Sequence, residues 1–537
     1  MKGLLQWHLG FLAAGTYLQS VIADLDGRLA DTTKLLTNGK YNPDFHLPSD
    51  YDYCHPPAHP VDDYKPMPDA ELRFVQYIFR HGDRTPSNYP PHANEDWQCR
   101  PQDEISYFTG GYDFDPKSNS TDNPNTGERL PDTVEFQNVV YHPKDSLFPD
   151  IMTGTCAPAQ LTERGMAQLR QVGKQLRSVY VDGETGFLSS VLPKGNSTSE
   201  DYTGKTSPFS LNPGQEIFLR TTELPRTQAS AQALITGLYL ESDSREKGAR
   251  VHRVIQPEKV ETMYPQVKRC PRIEELEELM SKDTPVQDYR KQQQELTDRL
   301  VDNLMDVSKQ FPHFQYVAYT DILLPYYCHN KELPVKNRDQ VTREDVKQIL
   351  DNLSWETGYL HNHSTYGQEY LTLTGGWFIR DLSQRWDANF PHSEDASSAV
   401  QQADTSIGPK FEFYSGHDSS VTPLLAALGS KQLVWPSYAS GLAFEFWQKK
   451  DGEVYVRVLY NGKVLDSVHD LEEMPLEKFR SLMSKYIPVS FDQCKGDEES
   501  QSKGNSNTAS SRTVAVSTSS LVLLLLSVGV MQSINRI

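Results

Sequence analysis

Three places along the chain constrain its fold more than any global property does. At each one an apolar run of strand-forming residues stops and a polar or cationic cluster follows directly. Phe74 to Phe79 leads into Arg80-His81-Gly82-Asp83-Arg84, Glu216 to Leu219 into Arg220-Thr221-Thr222, and Phe411 to Tyr414 into Ser415-Gly416-His417-Asp418. Runs this short and this apolar fit strands covered on both faces, and a helical pattern succeeds each cluster. Strands alternating with helices indicate an α/β sheet. Ligands of such sheets sit beyond the carboxyl ends of the strands, where helix N-termini add N–H donors and a positive dipole end. If the three strands are neighbours, Arg80, Arg84, Arg220, His81 and His417 converge on one point.

The helical signals are specific in places. Thr162 is placed to N-cap a helix whose Leu169, Val172, Leu176 and Val179 recur at helical spacing, with Glu163 complementing its positive end. Further helices are expected from Ala229 to Leu240 and from Pro423, in a first turn, through Leu428. Residues 271–404 are mainly helical, with one apolar stripe at Leu296, Leu300 and Leu304 and another including Val346, Ile349 and Leu350. They read as a smaller, mainly α-helical cap inserted into a catalytic core of 71–270 and 405–494. Glu453 to Tyr460 alternates, and Asn461-Gly462 turns it back as a hairpin. Residues 24–70 read as an extended arm, and the turn-rich stretch near 100–155 as a loop insertion.

Both ends carry processing signals. A positive start, an apolar stretch from Leu9 to Leu18 and the closing Val21-Ile22-Ala23 mark residues 1–23 as a signal peptide. At the other end a polar linker, 495–512, precedes a hydrophobic tail, 513–537. The tail fits a GPI-anchor signal better than a spanning helix, which needs about 20 apolar residues. Either reading sends the body through the secretory pathway to the outer face of a membrane, or into the medium. The six cysteines form no C-x-x-C pair, so disulfides are favoured over zinc. Sequons at Asn119, Asn196, Asn352 and Asn362 are glycan sites on exposed loops in such a chain. A net charge of −19 argues against nonspecific binding to nucleic acid, which relies on Lys and Arg.

Arginine's planar fork matches a tetrahedral oxyanion, and arginines packed together cost free energy unless something anionic joins them. Gly82 and Gly416 would let the backbone approach closely. The residues by themselves therefore indicate an anion site, best suited to phosphate, with two histidines and an acid. They do not specify hydrolysis.

Arg80-His81-Gly82-Asp83-Arg84-Thr85-Pro86 resembles the RHGxRxP signature of the histidine acid phosphatases, the branch that holds prostatic and lysosomal acid phosphatases and phytases. Leu161 to Gln168, the segment from Arg220-Thr221-Thr222 to Arg226-Thr227, Cys270-Pro271-Arg272, Gly375-Gly376, Gly416-His417-Asp418 and Pro436 to Ser440 follow in family order. The similarity runs from about Leu72 to Cys494 and is far more specific than one heptad.

The resemblance implies a phosphoglycerate-mutase-like mixed sheet flanked by helices, with the smaller cap beside it. It implies that His81 is the nucleophile and forms a phosphohistidine, that Arg80, Arg84, Arg220 and His417 bind the phosphoryl oxygens, and that Asp418 protonates the leaving alkoxide. A neutral imidazole can attack if its other nitrogen donates a hydrogen bond, and preplaced positive charge serves a loose phosphoryl transition state without a metal. The expected substrate is a small phosphomonoester, the expected pH optimum is acidic, and no cofactor is expected; a homodimer is one option for assembly. Asp83 and Thr85 are read as structural, with Asp83 free to tie down an arginine.

The resemblance also implies a Cys270–Cys494 bridge. It would pair Cys328 with a cysteine after Tyr438-Ala439-Ser440, but that position is Gly441, so Cys328 is free or bonded to Cys54, Cys99 or Cys156. Alternatives are a phytase or inositol-polyphosphate phosphatase, a lysophospholipid phosphatase, and a secreted signalling or binding factor on a phosphatase scaffold. The first needs a ring of basic residues that this acidic sequence does not place. The last is opposed by the intact His81, His417 and Asp418.

Overall fold

The computed structural model describes residues 36–496, apart from 38–39, 43–44, 50, 56–62, 88–91, 94–95, 100–153, 191–215, 241–250, 252, 309–310 and 392–408. The signal peptide, most of the insertion, nearly all of the linker and tail, and the sequons at Asn119 and Asn196 therefore lie outside the described residues.

A short hairpin pairs Leu36–Thr37 (β1) with Lys40–Tyr41 (β2). The main sheet comprises Ala70–Arg80 (β3), Ile217–Thr221 (β4), Arg253–Ile255 (β5), Phe411–Gly416 (β6), Gly441–Lys449 (β7), Val454–Tyr460 (β8), Lys463–Val464 (β9) and Met474–Pro475 (β10). Its order is β10-β8-β7-β3-β6-β4-β5, with β9 on β8. The half from β3 through β6 and β4 to β5 is parallel, while β7, β8 and β10 run antiparallel to their neighbours, so the sheet is mixed. Register sets Arg80 beside Gly416 and Thr221 beside Ser415. The three strand exits singled out in the sequence are thus adjacent, which is the condition for their side chains to meet.

The helices are Glu163–Tyr180 (α1), Pro225–Ile235 (α2), Arg272–Met280 (α3), Thr284–Gln292 (α4), Gln294–Asn303 (α5), Tyr316–Cys328 (α6), Arg343–Asn362 (α7), Gly367–Asn389 (α8), Asp418–Ala427 (α9) and Leu476–Ser484 (α10). Strands buried on both faces need apolar helices on both sides. On one side Leu169 and Val172 of α1 and Leu234 of α2 share a core with Val75, Tyr77 and Phe413. On the other, Ile379 and Trp386 of α8, Leu424 of α9 and Phe479 of α10 pack with Ile78, Phe444 and Val456. A separate core joins α4 to α7 around Tyr289, Ile322 and Trp355, and takes in Tyr41 and Tyr53 from the N-terminal arm.

Several expectations are corrected here. The cap was expected to extend to residue 404; α8 is shared, with Ile379, Leu382 and Trp386 packed on the sheet side and Tyr370 and Leu373 packed against α3 and the end of α7. Pro423 is inside α9 rather than in its first turn, since the helix already begins at Asp418. The sequon at Asn352 does not lie on a loop: the side chain is buried in α7 and its Nδ2 donates to Gln293 Oε1 at 3.2 Å, so a glycan has no room there. Asn362, at the end of the same helix, is exposed.

Disulfides join Cys270 to Cys494, Cys54 to Cys328 and Cys99 to Cys156. The Cys54–Cys328 bridge ties the arm to α6. Gly441 is left with no room for a side chain, because an added Cβ would meet the Tyr77 hydroxyl at 1.9 Å. Among the described residues, no helix is long and apolar enough to cross a membrane.

Candidate active site

The loop after β3 is held from beneath by α1. A Cβ on Gly82 would come within 2.5 Å of the Gly165 carbonyl oxygen, and one on Gly165 within 2.2 Å of the Asp83 carbonyl oxygen. Gly82 therefore permits close packing of loop on helix. Thr162 caps α1 by accepting from the Gly165 N–H at 3.1 Å, and its hydroxyl donates to Asp83 Oδ1 at 2.5 Å. The same carboxylate oxygen accepts from His329 Nε2 at 2.5 Å, so Asp83 holds a helix cap and a histidine rather than an arginine. Thr85 is equally structural: its hydroxyl donates to the Ala157 carbonyl at 2.7 Å.

Above this base, His81 is buried and its Nδ1 lies 2.8 Å from the Gly82 carbonyl oxygen. A carbonyl can only accept, so Nδ1 carries the proton and Nε2 carries the lone pair. Burial, followed by the charges of Arg226, Arg80 and Arg84, holds the His81 pKa well below its ordinary value, which keeps the imidazole neutral. His417 is 5.7 Å away, ring to ring. Its Nδ1 lies 3.5 Å from Arg226 Nη2 and its Nε2 3.0 Å from Thr222 Oγ1. Arginine can only donate, so Nδ1 accepts and the proton sits on Nε2. Burial and the same arginines hold this histidine's pKa well below the usual value as well.

The guanidinium of Arg80 is buried and donates to Tyr53 Oη at 2.9 Å and to the Pro436 carbonyl at 2.5 Å. It lies between the rings of Tyr53 and Tyr438, 5.1 and 4.8 Å from their centroids. Its Nη2 also meets Asp418 Oδ2 at 2.8 Å. Burial alone would lower the Arg80 pKa, but Tyr53 and Asp418 raise it overall. Arg84 donates to Asp321, on α6, and to the Thr85 carbonyl. Asp418 is the first residue of α9, where a helix N-terminus favours negative charge.

Arg220 is not in this group. It shares strand parity with Phe218, so it points to the face covered by α8, where Nη1 donates to Asp381 at 2.9 Å and Nη2 to Glu261 and Gln256 at 2.6 Å each. The expected phosphate-binding role is therefore corrected. The third arginine is Arg226, in the first turn of α2, whose pKa is lowered to about 10 by burial first and then by Arg84. The Nε atoms of Arg80, Arg84 and Arg226 are buried and have no hydrogen-bond partner among the described residues. Three clustered cations with unused donors are suited to bind a tetrahedral oxyanion. Among the described residues no group of His, Cys, Asp and Glu could hold a metal ion.

Arg226 lay inside a segment already singled out, and one signal marks it: a cation in the first turn opposes the helix dipole, which is unfavourable unless an anion compensates. Tyr53 carried no such signal, being set in the arm beside Cys54.

The family model described as the histidine phosphatase superfamily (branch 2) matches residues 71–461. The chain belongs to that superfamily. Among similar histidine phosphatases and related chains is Counting factor 60 of Dictyostelium discoideum, 25% identical over 432 residues, covering 79% of this chain and 88% of the other. A probable acid phosphatase of the same organism is 24% identical over 466 residues, covering 79% and 81%. Lysophosphatidic acid phosphatase type 6 of Bos taurus is 23% identical over 438 residues, covering 78% and 83%. These relatives support a phosphatase activity, and the three disulfides fit a chain of the secretory pathway.

Proposed function

We propose that this protein is an acid phosphatase that hydrolyses phosphate monoesters through a phosphohistidine on His81, at the outer face of a membrane or in the medium. The observation that carries the proposal is a neutral His81, its Nε2 carrying the lone pair, set among the buried Arg80 and Arg84 and the half-buried Arg226, each with a buried Nε that lacks a partner among the described residues.

The phosphoryl oxygens take the unused N–H groups of the three arginines, while His417 keeps its Nε2–H on Thr222 and turns Nδ1 toward Arg226 at their edge. His81 Nε2 attacks phosphorus, an N–P bond forms and the P–O bond to the alcohol breaks. Asp418 gives its proton to the departing oxygen, so the alcohol leaves neutral. Asp418 then takes a proton from water as that water attacks the phosphohistidine, releasing phosphate and restoring His81. Before substrate binds, Asp418 is paired with Arg80. A phosphoryl oxygen on Arg80 competes for that guanidinium and frees the carboxyl group to carry its proton. Low pKa values at His81 and His417 mean that both histidines stay neutral as the medium becomes acidic, so acidity serves the proton donor without disabling the nucleophile.

His81→Ala tests this directly. Turnover of p-nitrophenyl phosphate should fall by about 10³-fold or more, and alkali-quenched enzyme should hold no covalent phosphate where wild type does, since a phosphohistidine survives alkali and not acid. Near-normal turnover in that variant would refute the mechanism.

The lysophospholipid reading draws support from the relative named lysophosphatidic acid phosphatase type 6. A lysophosphatidate is a monoester within reach of a membrane-attached enzyme, and comparing its kcat/KM with that of p-nitrophenyl phosphate decides the point.

A further inference from the structure

The cations and the carboxylates of the site lie at different depths. Arg80 and Arg84 expose 1% and 4% of their side chains, whereas Asp418 exposes 20% and Asp321 36%. Anion-binding capacity, including the Nε atoms of Arg80, Arg84 and Arg226 that lack a partner among the described residues, is at the floor. Negative charge is at the rim. Asp321 arrives from α6 and Asp418 from α9, and both act on Arg226, which they draw toward a higher pKa against its burial. On another side Glu223 accepts the Tyr264 hydroxyl at 2.8 Å, and the Tyr264 ring stands 5.7 Å from His417.

Resting on the phosphatase reading above, we infer that Asp321 is a specificity-determining residue: it makes the site select phosphomonoesters whose alcohol is uncharged or cationic over those whose alcohol carries further anionic groups. An ester seated with its phosphoryl group on the arginines projects its alcohol outward past the rim. One phosphate is compensated by the guanidinium groups beneath it. Among the described residues, the cations at that depth are those already holding the first phosphate, and a second phosphate faces the Asp321 carboxylate instead. At a partly solvated position such an opposition is worth about tenfold in kcat/KM per charge, and a cationic alcohol gains where an anionic one loses. Asp321 also occupies Arg84 before substrate arrives, so its removal lowers KM for every monoester, and only a ratio between substrates isolates the discrimination.

The experiment compares phosphocholine, p-nitrophenyl phosphate and phytate as substrates for the full-length protein and for Asp321→Asn and Asp321→Glu. Wild type should show a kcat/KM for phosphocholine well above that for phytate, Asp321→Asn should reduce that ratio about a hundredfold, tenfold from each substrate, and Asp321→Glu should keep most of it. Raising the salt concentration should compress the wild-type ratio, because rim charges are screened, and this readout needs no variant to fold. A ratio unmoved by both Asp321→Asn and salt, with p-nitrophenyl phosphate turnover intact, overturns the inference alone. Wild type that fails to turn over p-nitrophenyl phosphate overturns the phosphatase reading and the inference with it.

Discussion

Arg220 and Arg226 lie six positions apart and do opposite kinds of work. Arg220 neutralises Glu261, whose side chain is fully buried and whose Oε1 also accepts from the Thr262 and Met263 N–H groups at 2.8 Å. Arg220→Gln leaves that carboxylate without its cation in the interior, so the fold should lose about 3–5 kcal/mol, read from urea unfolding at pH 7. The KM of the protein that remains folded should stay near wild type. Arg226→Ala should behave in reverse, with stability held or slightly raised by relief of repulsion and kcat/KM on p-nitrophenyl phosphate reduced by about 10²-fold or more. A variant pair with the two effects exchanged would restore Arg220 to the phosphate site. The sequence pointed to this segment but to Arg220, where the fold sets Arg226 beside His417, for a physical reason. Every residue of β4 is buried, so alternation gives no clue to which face Arg220 occupies. The placement of His81, Arg84 and Asp418 near one another was legible because they follow the strand ends, where the exit itself sets the direction.

At the scale of elements, the positions of α1 and α6 determine whether the signature loop is correctly shaped. Gly165 sits where α1 touches the loop, with only 2.2 Å between an added Cβ and the Asp83 carbonyl. Gly165→Ala must therefore move helix and loop apart, and the Gly82–Asp83 backbone moves with them. The expected result is a folded protein with a cooperative melt and a kcat reduced by about tenfold or more, since misplacement by a fraction of an ångström costs heavily in phosphoryl transfer. Activity equal to wild type would show that the loop does not depend on α1. α6 acts from above, through Asp321 on Arg84 and, just past its end, His329 on Asp83. Its helical character was readable, but its alignment with the loop was not, because that is fixed by the Cys54–Cys328 bridge to an arm with no regular pattern. The resemblance had left four options for Cys328, and only the fold chooses between them. That α8 serves the sheet as well as the cap helices was hidden for a related cause: an apolar stripe announces that a face is covered without saying by what.

At the scale of the whole molecule, the proposed acid phosphatase must remain folded in acid, and groups whose titration burial has shifted pull in opposite directions. Burial lowers His361 and His363 to about 4. Their unfolded forms titrate near 6.5, so between roughly pH 4 and 6.5 the unfolded chain binds more protons, and their contribution to stability is lost as pH falls. Burial raises Glu277 to about 7 and holds Glu356 well above its usual range. There the folded chain binds more protons, so that contribution is present at low pH and is lost as pH rises toward 7. The two sets offset each other across the same window, which flattens the dependence of stability on pH where a secreted acid phosphatase would operate. Glu277→Gln removes one member of the second set while keeping an acceptor for the Tyr370 hydroxyl, which lies 3.0 Å from Glu277 Oε1. The Tm of this variant minus that of wild type should be more positive at pH 8 than at pH 5. Parallel Tm curves across that range would mean that Glu277 titrates in the folded protein as it does in the unfolded chain, and the offset would then have to come from elsewhere.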